Sequence, residues 1–85
     1  MKYKLSIERS AQKGLSKMPH REQDRIIAAI QNLADNPRPP NAKKLTGRDA
    51  WRMRIGDYRV IYEIYDDTLI VLVVHLGHRK DIYRK

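Results

Sequence analysis

Arginines at positions 52, 54 and 59 lie in one short run, residues 51–62, WRMRIGDYRVIY. Trp51, Met53 and Ile55 alternate with Arg52 and Arg54, which is the period of a β-strand. Gly56-Asp57 supplies a two-residue turn with glycine first, as a type II′ hairpin requires. Pairing Ile55 with Tyr58 sets Arg54 opposite Arg59 and Met53 opposite Val60, so Arg52, Arg54 and Arg59 share a face. Like charges placed directly opposite one another destabilise a sheet. A face built this way points to a polyanionic ligand. The planar guanidinium fork donates two parallel hydrogen bonds to a phosphate, and Arg79 adds a fourth cation from a later segment. Such a group can hold an RNA phosphate and stabilise the charge of a pentacoordinate transition state. RNA carries its own nucleophile, the 2′-hydroxyl, so this chemistry needs neither a metal nor a nucleophilic side chain.

Other polar residues fit chemistry less well. Ser6, Ser10 and Ser16 fall on the first strand and helix, far from a base. His20, His75 and His78 are the only histidines and come with no carboxylate cluster, so no metal and no cofactor is expected. His78 is either an exposed loop residue or a proton carrier, since its ordinary pKa lies near neutrality. His75 ends an apolar strand and reads as packed and hydrogen-bonded. Glu63 shares the arginine face, either as a base or, more simply, as an ion-pair partner of Arg59 or Arg52. Tyr83, beside cations, can stack on an unpaired base; Ile82 reads as an anchor for the tail. Lys43, Lys44, Arg48 and Lys80 are expected RNA-binding positions.

The totals agree with an anionic partner. The chain has 85 residues, with 18 Lys and Arg against 10 Asp and Glu, for a formal net charge of +8. That favours nucleic acid, an acidic protein or an anionic membrane surface. One domain, residues 1–85, is expected at this length, and a hydrophobic content of 41% excludes a wholly disordered chain. There is no cysteine, which rules out a disulfide framework and cysteine-held zinc. MKYKLSIERS lacks the apolar stretch of a signal peptide, and the longest apolar run, residues 69–74, is too short to span a bilayer. A cytoplasmic protein is expected.

Elements to position the arginines follow from periodicity. Tyr3, Leu5 and Ile7 alternate as a first strand. Ala11, Leu15 and Met18 then fall on one side of a helix, and Pro19 ends it or opens the next one. A second helix spans residues 20–35, with Ile26, Ile27, Ile30, Leu33 and Ala34 as its stripe. NPRPPN, residues 36–41, is an extended connector, and KKLTG continues it as loop. Strands follow over residues 50–55, 58–65 and 68–76, the last two joined tightly at Asp66-Asp67. Residues 69–74 are apolar without alternation, as in an interior strand covered on both faces. The order β-α-α-β-β-β predicts an α+β fold. Its helical hairpin packs on one face of a small, mostly antiparallel, twisted sheet, and the arginines occupy the other.

The combination W-R-x-R, G-D-Y-R-V-x-Y and G-H-R-x-x-x-Y, spanning residues 51–83 and preceded by KKLTG, resembles the RelE-type toxins of the RelE/ParE superfamily. The resemblance covers essentially the whole chain. It implies a single RelE-like domain with the microbial RNase fold of that family. The implied activity is that of a type II toxin–antitoxin toxin: a metal-independent, ribosome-dependent mRNA endoribonuclease that cuts in the A site by 2′-hydroxyl attack. It would inhibit translation, as a stress-response mRNA interferase. Carried over, Arg52 and Arg54 stand at basic catalytic positions that are often lysine. Arg59 matches the arginine that stabilises the transition state, Arg79 the one that protonates the leaving oxygen, and Tyr83 the tyrosine that orients the nucleotide. Arginine, unlike lysine, does not release its proton to serve as a base. The arginines therefore act by electrostatics, or His78, Glu63 or Tyr83 carries a proton. The implied partners are a cognate RelB-like antitoxin, the ribosome and mRNA, with operator DNA reached only through the antitoxin complex and no membrane. The alternative is a ParE-like toxin that poisons DNA gyrase without cutting RNA; a silent toxin acting only in repression is a third.

Overall fold

The computed structural model describes residues 2–78. Its elements are β1 (Lys4–Ile7), α1 (Arg9–Ser16), α2 (His20–Asn32), β2 (Ala42–Lys44), β3 (Trp51–Ile55), β4 (Tyr58–Tyr65) and β5 (Ile70–His78). The strands form one sheet in the order β1-β5-β4-β3-β2. β1 runs parallel to β5 and every other neighbour is antiparallel. Two helices on a five-stranded mixed sheet make the α+β architecture expected from the sequence. No helix among the described residues is long and apolar enough to cross a membrane.

The core lies between the helices and one sheet face. Ala11 and Met18 from α1 and its end, and Ile26, Ile30 and Leu33 from α2 and its end, meet Met53, Val60, Tyr62, Val71, Val73 and Leu76. Ile27, counted in the apolar stripe, is instead 37% exposed. Residues 26, 30 and 33 already complete an i, i+4, i+7 seam, and position 27 falls at its margin. α2 also stops at Asn32 rather than Asp35, because the chain tightens there: Leu33, Ala34 and Asp35 donate to the carbonyls three residues back.

The β3–β4 hairpin has the expected register, with Ile55 opposite Tyr58, Arg54 opposite Arg59 and Met53 opposite Val60. Gly56 has φ +60° and Asp57 does not share the left-handed region, as a type II′ turn dictates. Three features differ from expectation. First, residues 42–44 are not loop but a short edge strand, pairing Ala42 with Met53, Lys43 with Arg52 and Lys44 with Trp51. The prolines at 37, 39 and 40 lack N–H donors, so pairing begins only beyond them. Second, the turn after β4 is longer than Asp66-Asp67. It runs to Leu69, which adopts φ +56°, and β5 begins at Ile70. Third, β5 carries a bulge. Ile61 faces His75 but Tyr62 faces Val73, leaving Val74 without a cross-strand partner.

β5 is interior, as expected, but it is not evenly covered. Val71 and Val73 are fully buried under the helices, whereas Ile70, Leu72 and Val74 are half-buried. The helices reach only one face of the sheet.

Candidate functional site

Hairpin register brings the arginines together on the face away from the helices. Arg54 on β3 is exposed and lies directly opposite Arg59 on β4. Arg59 in turn faces Gly77 on β5. Its residue exposure is only 7%, so its charge is held largely out of water. Arg52 belongs to the same face, opposite Ile61 on one side and Lys43 on the other. β2 therefore adds a second opposed pair of cations, Lys43 and Arg52. The face carries two like-charge pairs, each unfavourable for the sheet.

Not all the expected basic residues join it. Lys44, one residue on from Lys43, points to the other face, and its amine lies 4.0 Å from an Asp49 carboxylate oxygen. Arg48 is exposed in the loop between β2 and β3. Arg79, Lys80 and Tyr83 lie outside the described residues.

The bulge at Val74 redistributes the histidines. Counting by twos from Val71 and Val73 would place His75 on the helix side and His78 with the arginines. With Val74 inserted, Leu76 and His78 fall on the helix side, opposite Val60 and Tyr58, while His75 and Gly77 fall on the arginine side. His78 packs edge-on against the Tyr58 ring, centroids 5.3 Å apart and planes at 86°. His75 also departs from expectation. It is only half-buried, and its Nε2 is buried with no hydrogen-bond partner among the described residues. Gly77 makes this possible: a Cβ there would lie 3.3 Å from His75 Nε2, so the imidazole leans over the glycine. Sequence reasoning missed His75 as a face residue. The signal was the His-Leu-Gly-His spacing, in which only glycine leaves that room.

Glu63 does lie on the arginine face, four residues beyond Arg59 on β4. It forms no ion pair with the described residues; instead it accepts a hydrogen bond from the Tyr65 hydroxyl. That bond, with the carboxylate's charge, pushes the Tyr65 pKa up. Two of the serines are spent on structure: Ser10 donates to the Val74 carbonyl at 3.1 Å and Ser16 to the Lys13 carbonyl at 2.8 Å. Among the described residues, no three His, Asp or Glu side chains gather as a metal site would require. The chemical capacity of the face is thus electrostatic: four cations on adjacent strands, one of them nearly buried.

With this geometry in place, comparison with known proteins is decisive. Residues 5–83 match the sequence model of the ParE toxin of the type II toxin–antitoxin system parDE. The chain belongs to the RelE/ParE superfamily of type II toxin–antitoxin toxins. The toxin is 32% identical to Toxin RelG of Mycobacterium tuberculosis over 93 residues, covering 100% of both chains. It is 29% identical to a RelE-like toxin protein of Escherichia coli over 87 residues, covering 98% of this chain and 92% of that one. Among solved structures, the toxin–antitoxin complex RelBE2 of Mycobacterium tuberculosis contains a chain similar to this toxin at TM-score 0.82 and 26% identity, covering 93% of this chain and 100% of that chain.

Proposed function

We propose that the toxin is a ribosome-dependent mRNA endoribonuclease that uses the arginine face to cut RNA by 2′-hydroxyl attack. The observation that carries this reading is Arg59: a cation only 7% exposed, opposite a second arginine. Two guanidiniums facing each other across the hairpin form a pair of planar donor forks, and a phosphodiester is the ligand whose oxygens accept from both. In the proposed reaction the 2′-oxygen forms a bond to the adjacent phosphorus, the bond to the 5′-oxygen breaks, and a cyclic phosphate remains. Arg54 and Arg59 hold the non-bridging oxygens as negative charge accumulates on them. Arg52 and Lys43 steer the neighbouring backbone. Arg79 donates a hydrogen bond to the departing oxygen, which takes its proton from water because guanidinium keeps its own, and Tyr83 stacks the nucleotide, positions that rest on the family resemblance. The 2′-hydroxyl proton must pass to a group on this face or to the ribosome, since guanidinium does not accept it. Glu63 shares the face; His78 belongs to the other side of the sheet. A RelB-like antitoxin is the proposed partner, in line with the toxin–antitoxin complex formed by the Mycobacterium tuberculosis relative.

The test is primer extension on a translated message in the presence of wild type, Arg59→Lys and Arg59→Ala. Cleavage within A-site codons by wild type alone supports the reading. Arg59→Lys keeps the charge and loses the fork, so a folded but inactive lysine variant separates phosphate recognition from folding. Intact messages with wild type would overturn it. The second reading, a gyrase poison, is favoured by the family match itself, which is to ParE toxins. It predicts DNA breaks and no codon-specific cuts.

A further inference from the structure

A cavity of 460 Å³ opens beside the far end of β5, lined among others by Lys13, Lys17, Tyr58, Leu76, Gly77 and His78. Residues from both faces of β5 border it, so it runs alongside the edge of that strand. β1 has ended by this point: its last paired residue, Ile7, faces Val73. α1 forms the other wall. Gly14 lets the helix approach so closely that a Cβ there would lie 2.0 Å from the Leu76 carbonyl oxygen. The helix is therefore fixed on the strand, and Lys13 and Lys17, one turn apart, are fixed with it on the rim. Among the described residues, no carboxylate lines the cavity and neither lysine forms an ion pair.

We propose that this cleft binds single-stranded RNA, taking backbone phosphates on Lys13 and Lys17 and a base against the Tyr58–His78 ring pair. The inference rests on the nuclease reading and extends it to the nucleotides flanking the cut. Continuity with the arginine face favours RNA over an acidic peptide. Gly77 borders the cleft and is the register partner of Arg59, so the cleft, on the helix side of the sheet, ends at the strand pair whose other face carries the arginine. Tyr58 lines this cleft and also a smaller cavity shared with Arg54 and Arg59. Cations along a backbone track with aromatic faces between them are the recurrent means of holding a single strand.

The test measures binding of a nine-nucleotide RNA, 2′-O-methylated so that it is not cut, to the full-length chain across a salt series. Each phosphate contact on a single strand adds about 0.7 to the slope of log affinity against log salt. Lys13→Ala/Lys17→Ala should lower the slope by about 1.4, which is about a 7-fold narrowing of the affinity change between 50 and 200 mM salt. A control pair on the distant β1 end, Lys2→Ala/Lys4→Ala, should leave the slope where it was. An unchanged slope in the first pair overturns the proposal, as does an equal fall in both pairs, which would mark a diffuse basic surface. Loss of binding to a poly-glutamate peptide with RNA binding intact overturns it too, since the cleft would then be a protein site. The nuclease reading is judged separately by ribosome-dependent cleavage. Cleavage by wild type with no slope change sinks only the cleft; a slope change with no cleavage sinks only the nuclease.

Discussion

At the scale of single residues, the proposed nuclease chemistry sets function against stability, and Arg54 is where the two separate. Its side chain is exposed and its cross-strand neighbour is another arginine. Removing one charge of an opposed pair relieves repulsion of about 0.2–1 kcal/mol, while threonine suits a strand. Arg54→Thr should therefore raise the denaturant midpoint and lower ribosome-dependent cleavage by about 100- to 1000-fold, the usual effect of losing one transition-state donor. A variant less stable than wild type would show that the pair is not repulsive. Tyr62 is the opposite case. It is fully buried, its hydroxyl donates to the Pro37 carbonyl at 2.8 Å, and burial pushes its pKa up to about 12. Tyr62→Phe leaves that carbonyl unsatisfied, and urea unfolding should record a loss of about 1–3 kcal/mol with cleavage per folded molecule unchanged. Equal stability would mean that water replaces the bond.

At the scale of elements, the α1–β5 contact decides a glycine's sign. Alanine in a helix interior is better than glycine by about 1 kcal/mol. At position 14 the added Cβ would meet a backbone oxygen at 2.0 Å, which no rotamer change relieves. Overpacking of this kind costs about 1–3 kcal/mol, so Gly14→Ala should lower the thermal midpoint despite the gain in propensity; a rise would show that α1 lifts away freely. That contact was not legible in the sequence, because glycine in a helix carries no mark of what it approaches. The β3–β4 hairpin was legible: alternation from Trp51 to Ile55 and the Gly56-Asp57 turn are together enough to set its register. So was the second helix, apart from its last turn and Ile27. β2 was hidden because three residues beside a proline run have too little pattern to read. The bulge was hidden because β5 is apolar on both faces around Val74, so a one-residue phase change leaves no trace in hydrophobicity. Its consequence falls on the site, since it exchanges the faces of His75 and His78. Positions of Arg52, Arg54 and Arg59 were foreseeable because they depend only on the hairpin; those of the histidines depended on a strand whose sequence does not state its own phase.

At the scale of the whole molecule, one exposed cluster ties distant parts of the chain together. Asp66, in the β4–β5 turn, accepts a hydrogen bond from the Tyr3 hydroxyl at 2.6 Å. It also accepts from both terminal nitrogens of Arg38, at 3.2 and 2.9 Å. Arg38 comes from the proline connector, and its guanidinium also lies over the Trp51 ring, 5.4 Å from the centroid. The Arg38 hydrogen bonds, followed by that of Tyr3, hold the Asp66 carboxyl below its ordinary value of 3.8. A carboxyl depressed in the folded state contributes stability in full above its ordinary pKa and loses it as pH falls through the folded value. Tyr3 is shifted upward by the same hydrogen bond from its ordinary 10.0, so its share is full below that value and is lost in alkali. The cluster therefore acts at full strength across the neutral range. Acid alone does not isolate it, because a chain of formal net charge +8 gains further positive charge as its carboxylates protonate, and it repels itself. Comparison with Asp66→Asn does isolate it, since both proteins share the general repulsion. The gap between their thermal midpoints should be constant from pH 6 to 8 and should shrink as pH falls below 3.8. Raising the salt from 0.15 M to 1 M shortens the screening length from about 8 Å to about 3 Å. That should reduce the acid sensitivity of both proteins, yet the gap at neutral pH should persist in part, because a hydrogen bond at 2.9 Å lies inside even the shorter length. A gap independent of pH would show that Asp66 holds the turn through shape rather than charge, and the polar link between the connector and the sheet would then rest on the Tyr62–Pro37 and Asn41–Arg54 hydrogen bonds and the Arg38–Trp51 contact.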